Sequence, residues 1–438
     1  MAKVLAETSE AGLIRGIRRW DLVAVAINGI IGGGIFGLPA PVFKLIGTYS
    51  LVAFVVCAVV VTLIILCFAE VGSRFDETGG PYLYAREAFG STVGFEIGWL
   101  IWLARLTAFA ANCNLLVAYL GYFLPAATDP VWRASIIIIV VTLLATVNFL
   151  GVRQAAMVSN FFTIGKLIPL ILFIAVGLFF LNHQAFAMGP RPPAEAFSQS
   201  VLLLIYAFTG FEMATIPAGE VRDPKRNVPR ALLIAIAVVA FLYILIQIVC
   251  VGTLPGLAES QKPLADAGMH FMGGAGAAII SAGAVISITG NLNILLLSGS
   301  RVPFAMAEQR QLPSVIARVH HRFATPYVAI LITTAVMLLF TLKSSFREAL
   351  TISAIARLVT YGATCVSLLV FRRRSDLPPA AFRLWGGNVI AVLSILLAAW
   401  LLTSARKEAR AAAVAAGIGL VVYFAYFLYS RRKRLDEG

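Results

Sequence analysis

Long apolar stretches separated by short polar ones repeat along almost the whole chain of 438 residues. A membrane-spanning α-helix needs about 20 consecutive apolar residues, and the chain holds about twelve stretches of that length. The pattern therefore predicts an all-α membrane protein with about twelve transmembrane helices. The expected spans are residues 21–46, 48–70, 90–122, 132–149, 155–181, 199–219, 228–252, 275–308, 325–342, 348–370, 385–403 and 411–430.

The first span contains an interruption, the sequence GIIGGGIFG at residues 29–37. Each glycine there destabilises a continuous helix by roughly 0.5–1 kcal/mol relative to alanine. Backbone groups that lose their helical partners inside a bilayer need new ones from protein, water or a ligand. Freed N–H groups suit a carboxylate and freed carbonyls suit an ammonium, so a broken helix fits a zwitterionic amino acid. The alternative is a glycine run that only lets helices pack closely.

The sixth span carries a second interruption, YAFTGFE at residues 206–212, in which an acid follows a glycine flanked by aromatic residues. Paired interruptions in two halves of a chain indicate a transporter built from inverted repeats. We therefore expect a five-plus-five inverted repeat with broken first and sixth helices. The predicted organisation is an N-terminal segment (1–20), a core of ten helices (21–370), and helices eleven and twelve with a basic tail (371–438).

Composition and charge agree with a membrane protein. Hydrophobic residues make up 60% of the chain and charged residues 13%, which excludes an ordinary soluble globule. The net charge of +14 comes from lysines and arginines concentrated on one side of the predicted spans. The positive-inside rule then predicts a plasma (inner) membrane protein with both termini in the cytoplasm, against which only Arg406, Lys407 and Arg410 argue. The basic excess predicts contact with membrane lipid and no nucleic-acid partner.

Other chemistries have little support in the sequence. All five cysteines lie in apolar spans, so we expect no disulfide framework and no metal site. The chain has no Gly-Lys-Ser/Thr phosphate-binding loop and no His-Glu-x-x-His motif. We therefore expect no cofactor and no enzymatic activity.

Four segments are similar to the amino acid–polyamine–organocation superfamily of permeases. The similarity runs from about residue 20 to residue 374 and more loosely beyond, and the long loop segments are its specific part. The segments are IGGGIF (31–36), AEVGSRFDETGGPYLYAREAFG (69–90), FTGFE (208–212) with GEVRDPKRNVPRA (219–231), and SGSRVPFAMA (298–307) with HRFATPY (321–327).

The resemblance implies alternating access and secondary transport of amino acids. It assigns the substrate carboxylate to the N–H groups of Gly33 and Gly34, and places Phe208 as an aromatic gate. It assigns the substrate ammonium to three carbonyls, those of Ile30, Tyr206 and Thr209. Gly33 departs from permeases that carry serine at that position, so one side-chain hydroxyl contact is absent.

Two ionisable residues deep in the predicted spans are candidates for coupling, because a charge there is costly. By the resemblance, Lys166 in the fifth span replaces the cation of sodium-coupled relatives. It could release its proton during transport or remain a static cation on the first-helix carbonyls. Glu212 could accept a proton, or its carboxylate could join the two half-helices by a hydrogen bond. Protons are therefore expected as partners beside the amino acid.

Arg105 lies about thirteen residues inside the third span, roughly 20 Å from its nearer end, which is too far to reach the interface. The resemblance places the third helix beside the substrate, where relatives usually carry uncharged residues. Arg105 could pair with Glu212, hold an acidic substrate side chain, or repel cationic substrates. Arg357 in the tenth span is expected to be structural or close to a cytoplasmic vestibule.

The sequence thus predicts a transporter of neutral or acidic rather than cationic amino acids, driven by protons or by exchange. A membrane amino acid sensor without transport is the alternative, although a sensor usually has a long cytoplasmic extension. A membrane enzyme would need clustered catalytic groups, and paired helix breaks favour an occluded site over an open channel.

Overall fold

The computed structural model describes residues 17–76, 79–150, 152–216, 218, 221–323, 325–376, 379–403 and 406–436. The first sixteen residues of the predicted N-terminal segment lie outside this range, as do Gly219 and Glu220 of the third family-like segment. The described residues form fifteen α-helices and no β-strand. The helices are α1 (Arg19–Ile30), α2 (Gly34–Gly37), α3 (Pro39–Ile46), α4 (Ser50–Gly72), α5 (Pro81–Phe89), α6 (Ser91–Leu120), α7 (Pro130–Leu150), α8 (Val152–Gly177), α9 (Ala194–Phe208), α10 (Pro224–Thr253), α11 (Pro263–Glu308), α12 (Tyr327–Lys343), α13 (Phe346–Arg373), α14 (Gly387–Leu402) and α15 (Arg406–Asp436).

Eight stretches of the described chain are long and apolar enough to cross a membrane. They are Arg19–Gly37, Pro39–Gly72, Ser91–Leu120, Pro130–Leu150, Ala194–Ala214, Pro224–Thr253, Pro263–Glu308 and Phe346–Arg373. Four shorter apolar helices coincide with the other predicted spans: Gly165–Phe180, Tyr327–Lys343, Gly387–Leu402 and Ala412–Tyr426. The chain is therefore an all-helical, multi-pass membrane protein.

Burial separates central helices from peripheral ones. In α6, 89% of the residues in an apolar stretch of 18 residues are buried, whereas in α7 the share is 22%. Helix α6 packs against α11, α13 and α12, and α8 packs against α11. Because α6 is central, Arg105 and Asn112, two turns later on the same helix, lie in the interior.

Two positions differ from the simple span pattern. The segment between the second and third spans, expected as a loop, contains α5, whose first residue is Pro81. Proline is favoured at the first helical position because its missing N–H would be unpaired there anyway. Helix α11 is broken at Gly273, which has φ 66° and ψ −161°. This left-handed backbone favours glycine and separates a short leading helix from the eighth predicted span.

Candidate functional site

The predicted interruption of the first span is present in the structure. Helix α1 ends at Ile30, the backbone of Ile31 turns away with ψ 90°, and helical structure resumes at Gly34. The second half continues almost without a break, because Leu38 N bonds Gly34 O at 2.9 Å and Val42 N bonds Leu38 O at 3.1 Å. Within the described part of the chain, the N–H groups of Gly33, Gly34 and Ile35 have no acceptor. These donors start a helical segment and lie deep inside the protein.

The second interruption lies directly against the first. Helix α9 ends at Phe208, Gly210 has φ 107°, and a 3₁₀ turn follows at Phe211–Ala214. The left-handed conformation of Gly210 requires glycine. A Cβ on Gly29 would lie 2.5 Å from the carbonyl oxygen of Gly210, so the two backbones touch where both helices are broken.

A cavity of about 30 Å³ lies between the two breaks. Five of the predicted substrate-site residues line it: Ile30, Gly33, Gly34, Tyr206 and Thr209. Phe208, predicted as a gate, is not among the described lining residues. Its ring is fully buried and packs edge-on against Tyr243, with 5.1 Å between ring centroids.

Some of the carbonyls expected to accept from an ammonium already accept other bonds. Ile30 O accepts from Gly32 N at 2.9 Å and from the Tyr243 hydroxyl at 3.2 Å. Tyr206 O accepts from the Thr209 hydroxyl at 2.7 Å. Thr209 O accepts no hydrogen bond from the described residues, which makes it the most available of the three.

Two asparagines bridge α6 and α11 across this cavity. Asn112 Nδ2 donates to Asn291 Oδ1 at 2.8 Å, while Asn112 Oδ1 is buried without a donor among the described residues. A Cβ on Gly33 would overlap Asn112 Oδ1, so this carboxamide occupies the space beside the glycine. Asn112 was not predicted from the sequence as a residue of this cavity. Its position seven residues after Arg105 places both on one face of α6 and is the signal that could have found it.

The side-chain partners of Glu212 come from the tenth predicted span, and a further bond comes from the sixth-span backbone. Its carboxylate pairs with Arg357 and accepts from the Tyr361 hydroxyl at 2.8 Å and from the Gly210 amide at 2.9 Å. Arg105 instead donates to the Ser298 hydroxyl and contacts Met213 Sδ at 3.5 Å. Of the possibilities considered for Arg105, a hydrogen-bonded pair with Glu212 is thus not formed among the described side chains.

A second, smaller cavity of about 10 Å³ shares one lining residue with the first. Arg105, Glu212 and Tyr361 line it, and Arg357 lines both cavities. Arg357 was expected to be structural or vestibular. In the structure, Arg357 lies beside both cavities, the one between the helix breaks and the smaller one.

Lys166 on α8 contacts the broken first helix. The residue is 1% exposed, and its ammonium donates to Asn28 O at 2.8 Å, to Ile31 O at 2.6 Å and to the Asn28 side-chain oxygen. Three acceptors match the three N–H bonds of an ammonium. Among the described residues, no group of His, Cys, Asp and Glu side chains is arranged to hold a metal ion.

A larger vestibule of about 520 Å³ opens near the other end of the broken helix, beside Lys44, Glu259 and Arg347. Gly37, Leu115 and Phe346 lie where the vestibule approaches the helix break. A Cβ on Gly37 would be 2.7 Å from the Phe346 ring and 3.0 Å from Leu115. Tight packing of these three residues separates the vestibule from the central cavity.

Known proteins with similar sequences include amino acid permeases, and the similarity covers nearly the whole chain. The amino acid permease family profile matches residues 17–427. The chain is 28% identical to the branched-chain amino acid permease of Bacillus subtilis, over 98% of this chain and 96% of the relative. It is also 28% identical to the serine/threonine exchanger of that organism, over 84% and 86% of the two chains. The large neutral amino acids transporter small subunit 2 of Mus musculus is 29% identical, over 81% and 70%.

Proposed function

The chain belongs to the amino acid permease family of the amino acid–polyamine–organocation superfamily, and we propose that it is a secondary active transporter of amino acids that works by alternating access. The observation that carries the proposal is the pair of touching helix breaks beside a cavity lined by Gly33 and Gly34, whose N–H groups have no acceptor among the described residues. Freed amides and freed carbonyls together match the two charged ends of an amino acid.

The proposed architecture is about twelve transmembrane helices, of which the first ten (21–370) form two inverted repeats of five. Helices eleven and twelve with the basic tail (371–438) are additions, and the N-terminal segment (1–20) and the tail are cytoplasmic. The eight long and four shorter apolar helices, together with the two broken ones, support this arrangement. The plasma membrane is the proposed location.

The proposed substrate contacts follow from the lining of the cavity. The α-carboxylate is bound by the amides of Gly33 and Gly34, and the ammonium by Thr209 O, with Ile30 O and Tyr206 O beside it. The central cavity is the occluded site, separated from the vestibule by Phe346 and its neighbours. Arg357 at this cavity and Arg105 beside it disfavour cationic substrates, because like charges in a poorly hydrated space repel strongly.

Coupling is proposed to use protons or exchange. Lys166 bonds the first-helix carbonyls by its ammonium, so loss of its proton would change the donors available to the break. Glu212 joins the sixth-span break to α13. Exchange is supported by the serine/threonine exchanger among the relatives. In a sensor without transport, the same cavity would bind an amino acid but no label would cross the membrane.

The test is uptake by the purified protein in proteoliposomes. Labelled neutral and acidic amino acids should accumulate when a pH gradient or an internal amino acid is provided. Binding without uptake under either condition would favour the sensor. Absence of both binding and uptake for all common amino acids would refute the proposed function.

A further inference from the structure

The cavities contain more buried positive charge than negative charge. Arg105, Arg357 and Glu212 line the smaller cavity and are 2%, 5% and 6% exposed. Among the described residues that line it, two guanidiniums therefore share one carboxylate. Lys166 donates to the neutral carbonyl oxygens of Asn28 and Ile31 and is a further buried cation.

Among the described residues, Glu212 forms a hydrogen bond with only one of the two guanidiniums, that of Arg357. One of its oxygens pairs with Arg357, and the other accepts from Tyr361 and from the Gly210 amide. Arg105 is left with Ser298 and Met213, which are both neutral. A buried cation without a hydrogen-bonded anion is costly, so the site favours an additional negative charge.

Unused donors remain on both guanidiniums. Arg105 Nε and Arg357 Nε are buried and have no acceptor within the described part of the protein. Buried polar groups are normally hydrogen-bonded, and a guanidinium presents its donors in a planar fork that matches a carboxylate. The orphaned donors thus indicate the chemistry of the missing partner.

Arg357 connects these donors to the proposed amino acid site, because it lines the same cavity as Gly33 and Gly34. We propose that Arg105 and Arg357 form a subsite for the side-chain carboxylate of an acidic amino acid, aspartate or glutamate. This assignment rests on the proposed function, since it requires an α-carboxylate at the first break. Three relatives are named for branched-chain, serine or threonine, and large neutral amino acids, so the proposed acidic preference rests on this chain's own side chains.

The experiment is equilibrium binding to the purified full-length protein in lipid nanodiscs. Aspartate is compared with asparagine and glutamate with glutamine, because each pair differs in one negative charge at nearly constant shape. The unmodified protein should bind at least one of the acids ten times or more tighter than its amide. Arg105→Gln should reduce that preference to threefold or less.

Two further variants separate the subsite from general destabilisation. Arg105→Lys keeps the charge but loses the planar fork, and it should retain part of the preference for the acid. Arg301→Gln is the matched control, because Arg301 is also a guanidinium in a predicted span, bonds Leu297 O and Ser300, and is not among the residues lining the central cavity. It should keep the full preference. Thermal melting of each variant identifies those that do not fold.

Each other outcome is decisive. Equal binding of acids and amides by the unmodified protein overturns the subsite and leaves the proposed function intact. Amide binding that requires chloride, without any preference for acids, assigns the excess charge to an inorganic anion and also overturns it. If none of the twenty common amino acids binds, the proposed function itself fails.

Discussion

Lys166 Nζ lies 2.6 Å from the carbonyl oxygen of Ile31, so a side chain of α8 is bonded to the backbone where the first helix is broken. The same ammonium bonds Asn28 O at 2.8 Å. Carbonyls freed inside a membrane need donors, and here a lysine supplies them. The contact links the break to the neighbouring helix α8.

Replacing Lys166 by methionine should abolish pH-driven accumulation, because an apolar chain of similar length leaves the carbonyls of Asn28 and Ile31 without their donor. In the unmodified protein, proteoliposome uptake should depend on pH and be indifferent to replacement of sodium by potassium or choline. Lys343→Met, at the exposed end of α12, is the control and should transport normally. A strict sodium requirement in the unmodified protein would rule out this coupling.

Gly34→Ala should eliminate substrate binding and lower the melting temperature. The new Cβ would lie 2.8 Å from Ala207 Cα, so α2 and α9 would have to separate at the site. The matched control is Gly362→Ala, where the added Cβ meets no atom within 4 Å among the described residues. That variant should bind substrate normally, as isothermal titration can show. Normal binding by Gly34→Ala would contradict the proposed carboxylate site.

Gly33→Ser should weaken substrate binding by at least tenfold. The reason is local, since the added side chain would overlap Asn112 Oδ1. Combining Gly33→Ser with Asn112→Ala removes the overlap and should recover much of the lost affinity. If the double variant binds no better than Gly33→Ser, the overlap is not what selects glycine here. Binding titrations of Gly33→Ser, of Asn112→Ala and of the double variant provide the comparison.

Glu212→Ala should destabilise the protein strongly, by about 3–5 kcal/mol, because it leaves Arg357 buried without its carboxylate. The double variant Glu212→Ala with Arg357→Ala should lose less than the sum of the single variants, as expected for directly coupled residues. Lys44 and Glu259 form a control pair whose side chains are 58% and 77% exposed, and its removal should cost about 0–1 kcal/mol. Melting temperatures in detergent compare the stability of the single variants, the double variant and the control pair. Additive losses for the buried pair would contradict the pairing.

Local sequence features were enough to predict both helix breaks. Glycine runs and the FTGFE segment disfavour a continuous helix wherever they occur, so residues 31–33 and Gly210 could be identified without knowing their neighbours. The all-helical membrane class followed equally from local hydrophobicity. The prediction of a twelve-helix inverted repeat rests on family resemblance and remains a prediction.

Pairings between distant helices could not be predicted in this way. The partner of Glu212 is Arg357, 145 positions later, and nothing in the local pattern favours it over Arg105. The direct contact between Gly29 and Gly210, and the position of Asn112 against Gly33, depend equally on how the helices pack. Phe208 was predicted as a gate from its position beside the break. Its ring packs against Tyr243 and not against the cavity, which the local sequence does not indicate.

The most direct measurement of the central claim is uptake of labelled amino acids by proteoliposomes containing the unmodified protein, with Gly34→Ala as the inactive comparison. The account predicts saturable uptake of neutral or acidic amino acids under a pH gradient or with internal amino acid. It also predicts little uptake of arginine and lysine and none by Gly34→Ala. Uptake of arginine or lysine equal to that of neutral amino acids, or uptake unaffected by Gly34→Ala, would contradict it.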